Sequence, residues 1–262
     1  MRSNQIFDVA GKVIVVTGAA SGIGYAIAEA MADNDATVVL SDVDGPGLEA
    51  AAAQLSARGG EVTTALLDVS DRQAVEGVMA EVVDRHKRLD VVFANAGVTG
   101  GRGYAMPEGE IENASMDAWR TCMAINLDGA FGTMAAAARH MKSQKSGSIV
   151  VTTSIAALIT NPMPSYGYHA AKAGAAHLVR MAARELGPYG VRVNGIAPGP
   201  FVTNIGGGRL KDPAIQAGFT ASVPMARAAQ PDEIKGLALL LASPAGGYIT
   251  GAIIPIDGGD SA

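Results

Sequence analysis

Tyr168 and Lys172 are four residues apart at the start of a helical pattern, so their side chains share one face of that helix. A phenol with a pKa near 10 is a weak base at pH 7, but a neighbouring ammonium favours its ionised form. Lowering the phenol pKa from about 10 to about 7 requires about 4 kcal/mol, which two close positive charges in a shielded cleft can supply. The phenolate could then take a hydroxyl proton. The alternative is an ordinary surface pair.

Two further residues could serve the same proton chemistry. Ser154 ends an apolar strand pattern, where its hydroxyl could donate a hydrogen bond to a substrate oxygen as negative charge develops there. Asn126 falls inside a helical pattern, which is locally unfavourable. It therefore indicates either an exposed position or a break in the helix that holds a water molecule. The candidate catalytic set is Asn126, Ser154, Tyr168 and Lys172.

A glycine-rich turn joins the first predicted strand to the first predicted helix. Gly18 can make a tight turn, Gly22 allows the backbone close to a phosphate, and Gly24 allows close packing of helix on strand. The helix N-terminus adds free N–H groups and the positive end of a dipole. Glycine also serves turns that bind nothing, so the position in the fold favours the ligand interpretation. The candidate binding residues of this turn are Gly18, Ser21, Gly22, Ile23 and Gly24.

Asp42 follows Gly24 by 18 residues and ends the second strand pattern. A carboxylate there can accept hydrogen bonds from an adenosine ribose and would repel a 2′-phosphate. No Arg or Lys lies in the glycine turn or in Ser41–Ala53. Coulomb's law therefore favours NAD over NADP. The alternative is an aspartate that only caps the next helix.

Short β-branched runs alternate with longer Ala- and Leu-rich helical patterns along the whole chain. Such alternation with apolar strands predicts a parallel sheet covered on both faces, in an α/β, Rossmann-type doubly wound fold with one domain over residues 1–262. The predicted strands are Lys12–Thr17, Ala36–Ser41, Glu61–Leu67, Leu89–Ala94, Ser148–Ser154, Val191–Ala197 and Ala252–Ile256. The predicted helices are Gly22–Asn34, Gly47–Arg58, Asp71–Lys87, Met116–Met141, Tyr168–Leu186 and Asp232–Leu241.

Two stretches have no regular pattern, Thr99–Ala114 and Pro198–Ser222. Both follow predicted strand ends, where ligands bind in sheets of this kind. We therefore expect residues 99–114 and 198–222 to be substrate loops.

Composition narrows the function classes. Of the 262 residues, 48% are hydrophobic and 17% charged, which is typical of a packed globule and not of a disordered chain. The net charge of −5 argues against nucleic acid and anionic membrane surfaces as partners. The single cysteine, Cys122, allows no internal disulfide. With no long apolar run and a polar N-terminus, we expect a soluble cytoplasmic protein.

Taken in order, these motifs resemble those of the classical short-chain dehydrogenase/reductase family over essentially the whole chain. Each motif is modestly specific, and their joint order and spacing are highly specific. The elements that carry the resemblance are Thr17–Gly24, Asp68-Val69, Asn95-Ala96-Gly97, Asn126, Ser154, Tyr168, Lys172, Asn194, Pro198-Gly199, Thr203, Thr250-Gly251 and Asp257-Gly258-Gly259.

The resemblance implies a role for each matching position. Asp68 and Val69 would contact the adenine, Asn95 would steady the sheet beside the cofactor, and Ala96 and Gly97 would belong to the cofactor-binding residues. Lys172 would also hold the nicotinamide ribose, and Asn126 would position a water that leads protons to solvent. Pro198, Gly199 and Thr203 would border the nicotinamide. The family is commonly homotetrameric, and here the helices Met116–Met141 and Tyr168–Leu186 would pair.

The sequence departs from the family pattern at several places. Position 94 is Ala instead of the usual Asn. Ser154 precedes Tyr168 by 14 residues, one more than is usual, so Asn161–Tyr166 is expected to bulge toward the substrate. Tyr166 lacks a lysine partner because position 170 is Ala. The loop Thr99–Ala114 is longer than expected, which should reshape the substrate pocket.

Other reactive residues receive plainer interpretations. His169 should point about 100° away from Tyr168 on its helix. The histidines and Cys122 show no metal-ligand spacing, so no metal site is expected. Arg102 and Arg209 lie in the two predicted substrate loops, and either could pair with an anionic group of the substrate or remain a solvated charge.

The sequence therefore predicts an NAD-dependent oxidoreductase that moves a hydride between the cofactor and a small-molecule secondary alcohol or ketone. One alternative is an NADPH-dependent 3-oxoacyl thioester reductase, which Asp42 disfavours. The other is a non-catalytic nucleotide-sensing protein on the same fold, which the intact catalytic set disfavours.

Overall fold

The computed structural model describes residues 3–262 and contains a seven-stranded, entirely parallel sheet. Its strands are β-branched and apolar, as a sheet buried on both faces requires. They are β1 (Val13–Thr17), β2 (Thr37–Asp42), β3 (Glu61–Leu66), β4 (Val91–Ala94), β5 (Gly147–Thr152), β6 (Val191–Pro198) and β7 (Ile253–Ile256). The predicted Rossmann-type doubly wound fold is confirmed.

Helices cover both faces of the sheet. They are α1 (Ser3–Ile6), α2 (Gly22–Ala32), α3 (Gly45–Ala57), α4 (Arg72–His86), α5 (Met116–Met123), α6 (Ala130–Gln144), α7 (Tyr166–Leu186), α8 (Pro213–Thr220) and α9 (Lys235–Ala242). Side chains alternate across a strand, so Ile14 packs with α2, α3 and α9 while Val15 packs with α4, α6 and α7. The two resulting cores hold the sheet between them.

The strand order is β3-β2-β1-β4-β5-β6-β7, so the direction of winding reverses between β1 and β4. The loops after these two neighbouring strands leave on opposite sides and open a crevice at their carboxyl ends. The residues that follow β1 and β4, beginning with Gly18 and Asn95, are therefore placed beside each other.

Two elements differ from the sequence prediction. The stretch Pro198–Ser222 is not wholly irregular, because it contains α8: Asp212 accepts a hydrogen bond from Ala214 N–H at 2.9 Å and Pro213 occupies the first turn. The long helical pattern from Met116 is interrupted by a π-helical segment, Ala124–Gly129, between α5 and α6. Of the two alternatives for Asn126, the structure therefore contains the helix break.

Among residues 3–262, no helix combines the length and the apolar character that crossing a membrane requires.

The glycine turn after β1 permits no side chain at Gly24. A Cβ there would lie 2.0 Å from the Gly18 carbonyl oxygen, whereas one at Gly77, on the exposed face of α4, would contact nothing within 4 Å. We expect Gly24→Ala to destabilise the fold by about 3 kcal/mol through overpacking. Gly77→Ala should stabilise it by about 0.5–1 kcal/mol through helix propensity. Urea unfolding measures both, and equal effects would contradict the packing argument.

Candidate active site

A cavity of about 540 Å³ opens at the carboxyl ends of the strands. It brings together every predicted site residue except Asn126, which lies behind its wall. Those lining it are Gly18, Ser21, Gly22, Ile23, Gly24, Asp42, Asp68, Val69, Asn95, Ala96, Gly97, Ser154, Tyr168, Lys172, Pro198, Gly199 and Thr203.

The glycine turn has the geometry of a close-approach site. Gly18 and Gly22 adopt φ of +68° and +60°, which favours glycine. A Cβ at Gly22 would lie 3.3 Å from the Thr203 side chain, so the loop after β6 touches this turn. Ser21 precedes α2 without capping it through its side chain. The N–H groups of the first turn are thus available to an anion.

Asn95 joins three strand ends beside this turn. Its Nδ2 donates to the carbonyl oxygens of Thr17 at 3.0 Å and Gly18 at 3.3 Å, and its Oδ1 accepts from the Thr152 hydroxyl at 2.9 Å. The Thr17 hydroxyl in turn accepts from the N–H groups of Asn95 and Ala96. The steadying role that the resemblance implies for Asn95 therefore has a defined set of hydrogen bonds.

Asp42 ends β2 at one end of the cavity. Its carboxylate accepts hydrogen bonds from Ala20 N–H at 3.0 Å and from Asp44 N–H at 3.1 Å. The cap of α3 is Asp44, which accepts from Gly47 N–H at 3.1 Å. The alternative interpretation of Asp42 as the cap of the next helix is therefore wrong.

The cavity wall beyond Asp42 continues with Asp68 and Val69. Ser70 donates hydrogen bonds to the Asp68 carboxylate from its hydroxyl and its N–H, and these lower the pKa of Asp68. Val69 is buried and packs against Gly129, where a Cβ would come within 2.8 Å of the valine. This contact leaves no room for a larger residue at position 129.

Tyr168 lies in the first turn of α7. Its N–H donates to the hydroxyl of Ser165, the N-cap, at 3.2 Å, and the Ser165 hydroxyl donates to the Thr99 carbonyl at 2.9 Å. The Ser154 hydroxyl lies beside the phenol, and its hydrogen bond lowers the phenol pKa. Burial is the larger effect and raises the pKa of Tyr168 above its usual value. The sequence predicts that two close positive charges lower this pKa, whereas in the structure burial raises it.

Lys172 is 4% exposed and lies below Tyr168, with Nζ 5.6 Å from the centre of the phenol ring. Its ammonium donates to the Thr152 carbonyl at 2.8 Å. Burial lowers the pKa of Lys172 to about 8. Tyr168 and Lys172 thus share one face of α7 but lie inside the protein, so the alternative of an ordinary surface pair is wrong. A Cβ at Gly97 would come within 3.4 Å of Nζ, so Gly97 keeps the space in front of the lysine open.

Asn126 is buried in the π-helical segment. Its Nδ2 donates to the carbonyls of Val98 at 2.8 Å and Cys122 at 3.1 Å, and its Oδ1 accepts from Val98 N–H at 3.2 Å. The exposed position allowed by the sequence is therefore excluded. Cys122 is fully buried, and burial raises the pKa of its thiol, which fits a packing role.

The two arginines of the predicted substrate loops are in different environments. Arg102 forms an ion pair with Glu108 at 3.1 Å and does not line the cavity. Arg209 lines the cavity and lies over the ring of Phe219 at 5.9 Å. The sequence could not separate these two residues, because the difference arises from how the loops fold.

Several cavity residues were not identified from the sequence as site residues, among them Thr99, Thr152, Phe219 and Asp260. The expected bulge before Tyr168 does reach the cavity, through Asn161, Met163 and Pro164. His169 supports it: Nε2 accepts from Asn161 N–H at 3.2 Å, and Nδ1 lies 3.1 Å from the Ser165 carbonyl. His169 thus faces away from the Tyr168 hydroxyl.

Within the described residues, no three His, Cys, Asp or Glu side chains form a cluster that could hold a metal.

Comparison with known proteins extends these observations. Residues 18–261 match the model of a family described as enoyl-(acyl carrier protein) reductase. The chain is 37% identical to cis-4-hydroxycyclohexanecarboxylate dehydrogenase of Sinomonas cyclohexanicum, covering 97% of this chain and 98% of the relative. It is 32% identical to the 3-oxoacyl-[acyl-carrier-protein] reductase of Thermotoga maritima, covering 95% and 97%.

A solved structure of 7α-hydroxysteroid dehydrogenase, complexed with NADH and 7-oxo glycochenodeoxycholic acid, superposes with a TM-score of 0.87 at 30% identity. The match covers 99% of this chain and 98% of that one. Because family model, relatives and structure agree over nearly the full length, the chain is an oxidoreductase of a family that uses nicotinamide cofactors, and it belongs to the classical short-chain dehydrogenases/reductases.

Proposed function

We propose that this protein is an NAD-dependent oxidoreductase that interconverts a secondary alcohol and a ketone. The observation that carries this proposal is the cavity itself. It places the Ser154 hydroxyl, the Tyr168 phenol and the buried Lys172 ammonium at one end and an acidic strand terminus, Asp42, at the other. The glycine turn follows β1, which lies between β2 and β4 in the sheet.

The residues present fit a nicotinamide dinucleotide. The φ angles of Gly18 and Gly22 and the free first turn of α2 suit the pyrophosphate, and Asp42 suits the adenosine ribose. Asp68 and Val69 would flank the adenine, while Pro198, Gly199 and Thr203 would border the nicotinamide. When bound, the cofactor supplies the carbon that accepts or donates a hydride.

The chain's own residues would handle the proton. Tyr168 would take the hydroxyl proton of an alcohol at its Oη, and would return it to the ketone oxygen in the reverse direction. Ser154, which already stabilises the ionised phenol, would donate to the same substrate oxygen. Lys172 would stabilise the phenolate and hold the nicotinamide ribose, and Asn126 would position a water that relays the proton onward.

Charge around Asp42 supports NAD over NADP. The described cationic side chains that line the cavity are Lys172 and Arg209, and neither lies in the glycine turn or in the segment after β2. A 2′-phosphate there would meet a carboxylate with no cation to offset the repulsion. The same argument weighs against the 3-oxoacyl thioester reductase alternative, although several relatives bear that name, the one from Thermotoga maritima among them.

The catalytic set weighs against a purely nucleotide-sensing protein, because a binding module does not need a buried lysine beside a tyrosine.

We also propose a homotetramer in which the α5–α6 and α7 surfaces pair. The exposed apolar side chains of Met116, Phe131 and Met181 on these helices support this assembly.

Tyr168→Phe removes the proton-carrying oxygen and keeps the ring. We expect NADH-linked turnover of ketones to fall by about 10³-fold or more, while the Kd for NADH changes by less than about twofold. Steady-state assays of NADH consumption measure the turnover, and nicotinamide fluorescence measures the Kd for NADH. Turnover within tenfold of the original protein would refute the role of Tyr168, and Tyr166→Phe is the matched control that should leave turnover unchanged.

Asp42→Asn keeps an acceptor for the Ala20 N–H and removes the charge. We expect the original protein to bind NADH more tightly than NADPH, and the substitution to narrow this preference by about tenfold. Titration with each nucleotide, followed by the rise in nicotinamide fluorescence, gives both dissociation constants. A preference for NADPH in the original protein would overturn the proposed role of Asp42.

Lys172→Met tests the buried charge through pH. The pKa of Lys172 in the fold is about 8 against 10.5 as the ordinary value, so between these values the unfolded chain binds more protons. The free energy of unfolding contributed by Lys172 therefore rises as pH increases from about 8 toward 10.5. We expect the stability difference between the methionine variant and the original protein to change over this range in urea unfolding. A stability difference that does not change with pH would contradict a buried ammonium, and Lys211→Met at an exposed position is the matched control.

A further inference from the structure

Arg209 is a cation without an acidic partner in the part of the chain that the structure describes. It sits in a short turn, Arg209–Lys211, that leads into α8, and it is half-buried where it lines the cavity. No Asp or Glu forms an ion pair with it among residues 3–262, in contrast to Arg102 with Glu108. Its neighbour on the cavity wall is the Phe219 ring, at 5.9 Å.

The surroundings of Arg209 strengthen its attraction to an anion. The apolar side chains of Ile205 and Leu210, near Arg209 in the chain, line the cavity with it, and the Phe219 ring lies 5.9 Å from its guanidinium. Electrostatic attraction to a guanidinium is stronger beside such a wall than in water. The planar guanidinium also offers two parallel donors, which match a carboxylate.

The position of Arg209 lies on the substrate side of the cavity. A Cβ at Gly206 would come within 3.4 Å of Arg209 Nη2 and within 3.1 Å of Thr99 Cγ2, so the guanidinium stands where the loops after β4 and β6 meet. Thr99 is tied through Ser165 to the first turn of α7, which carries Tyr168. The glycine turn, in contrast, is contacted by Thr203.

One acidic side chain lines the same cavity from the turn after β7. The carboxylate oxygens of Asp260 are buried and have no hydrogen-bond partner among the described residues, but no ion pair joins Asp260 to Arg209. Asp260 is therefore the residue to test as an alternative partner for Arg209.

We propose that the substrate carries an anionic group, such as a carboxylate, and that Arg209 binds it while the reacting carbon faces Tyr168. This proposal rests on the proposed alcohol–ketone function and deepens it by naming the substrate class. An anion could also come from the cofactor pyrophosphate, and the experiment separates these two sources.

The test uses the protein with NADH bound and two unreactive ligands of similar shape, cyclohexanecarboxylate and cyclohexanecarboxamide. Isothermal titration calorimetry should show tighter binding of the carboxylate to the original protein. Arg209→Gln should weaken carboxylate binding by about ten- to a hundredfold and leave amide binding nearly unchanged, since hydrogen bonds to charged groups are the stronger ones. Arg209→Lys should retain part of the preference, and Arg102→Gln should retain all of it.

Three results would overturn the proposal. The first is equal binding of carboxylate and amide by the original protein, or a preference that survives Arg209→Gln. The second is a loss of NADH affinity of about tenfold in Arg209→Gln, which would assign the guanidinium to the cofactor phosphates. The third is a clear gain in carboxylate binding in Asp260→Asn, which would show that Asp260 pairs with Arg209 when no ligand is bound. Failure of the proposed function would be distinct, because it would appear as absent ketone turnover with ligand binding intact.

Discussion

The carboxamide of Asn95 is a junction between the nucleotide turn and the proton-transfer residues. Its Nδ2 holds the carbonyls of Thr17 and Gly18, its Oδ1 accepts from the Thr152 hydroxyl, and the Thr152 carbonyl accepts from the ammonium of Lys172. A continuous series of hydrogen bonds therefore runs from the end of β1 across β4 and β5 to α7. Because each bond fixes the next group, the position of the lysine depends on the packing of the glycine turn, and neither end could move alone.

The sequence predicts the elements of this site better than its electrostatics. The sequence pattern alone predicts where the glycine turn, Ser154, Tyr168 and Lys172 lie. Each of them follows a predicted strand, and the ends of parallel strands meet at one edge of the sheet. The direction of the Tyr168 pKa shift was not predictable, because it depends on how deeply the phenol is buried and on its hydrogen bond with Ser154. The different environments of Arg102 and Arg209 were also not predictable, because they depend on contacts between loops that are distant in sequence.

Charge is distributed unevenly along the cavity. Asp42 ends β2, Asp68 follows β3, Lys172 lies beneath the phenol, and Arg209 lies where the loops after β4 and β6 meet. Asp260 adds a buried carboxylate from the turn after β7. Only Lys172 carries a large penalty for its burial, and it is also the cation closest to the phenol. Stability is thereby lost at the position where the proposed proton transfer would use a cation.

The π-helical segment Ala124–Gly129 adjusts the angular phase between the two helices that flank it. In an unbroken α-helix each residue turns the chain by about 100°, so α5 fixes which face of α6 meets the sheet. The wider turn shifts that phase. Cys122 can therefore face inward toward Asn126 while Met134 and Met141, further along, still pack on the sheet. The interrupted helix can therefore pack Cys122 against Asn126 and pack Met134 and Met141 against the sheet, which the angular spacing of one unbroken α-helix would not allow at the same time.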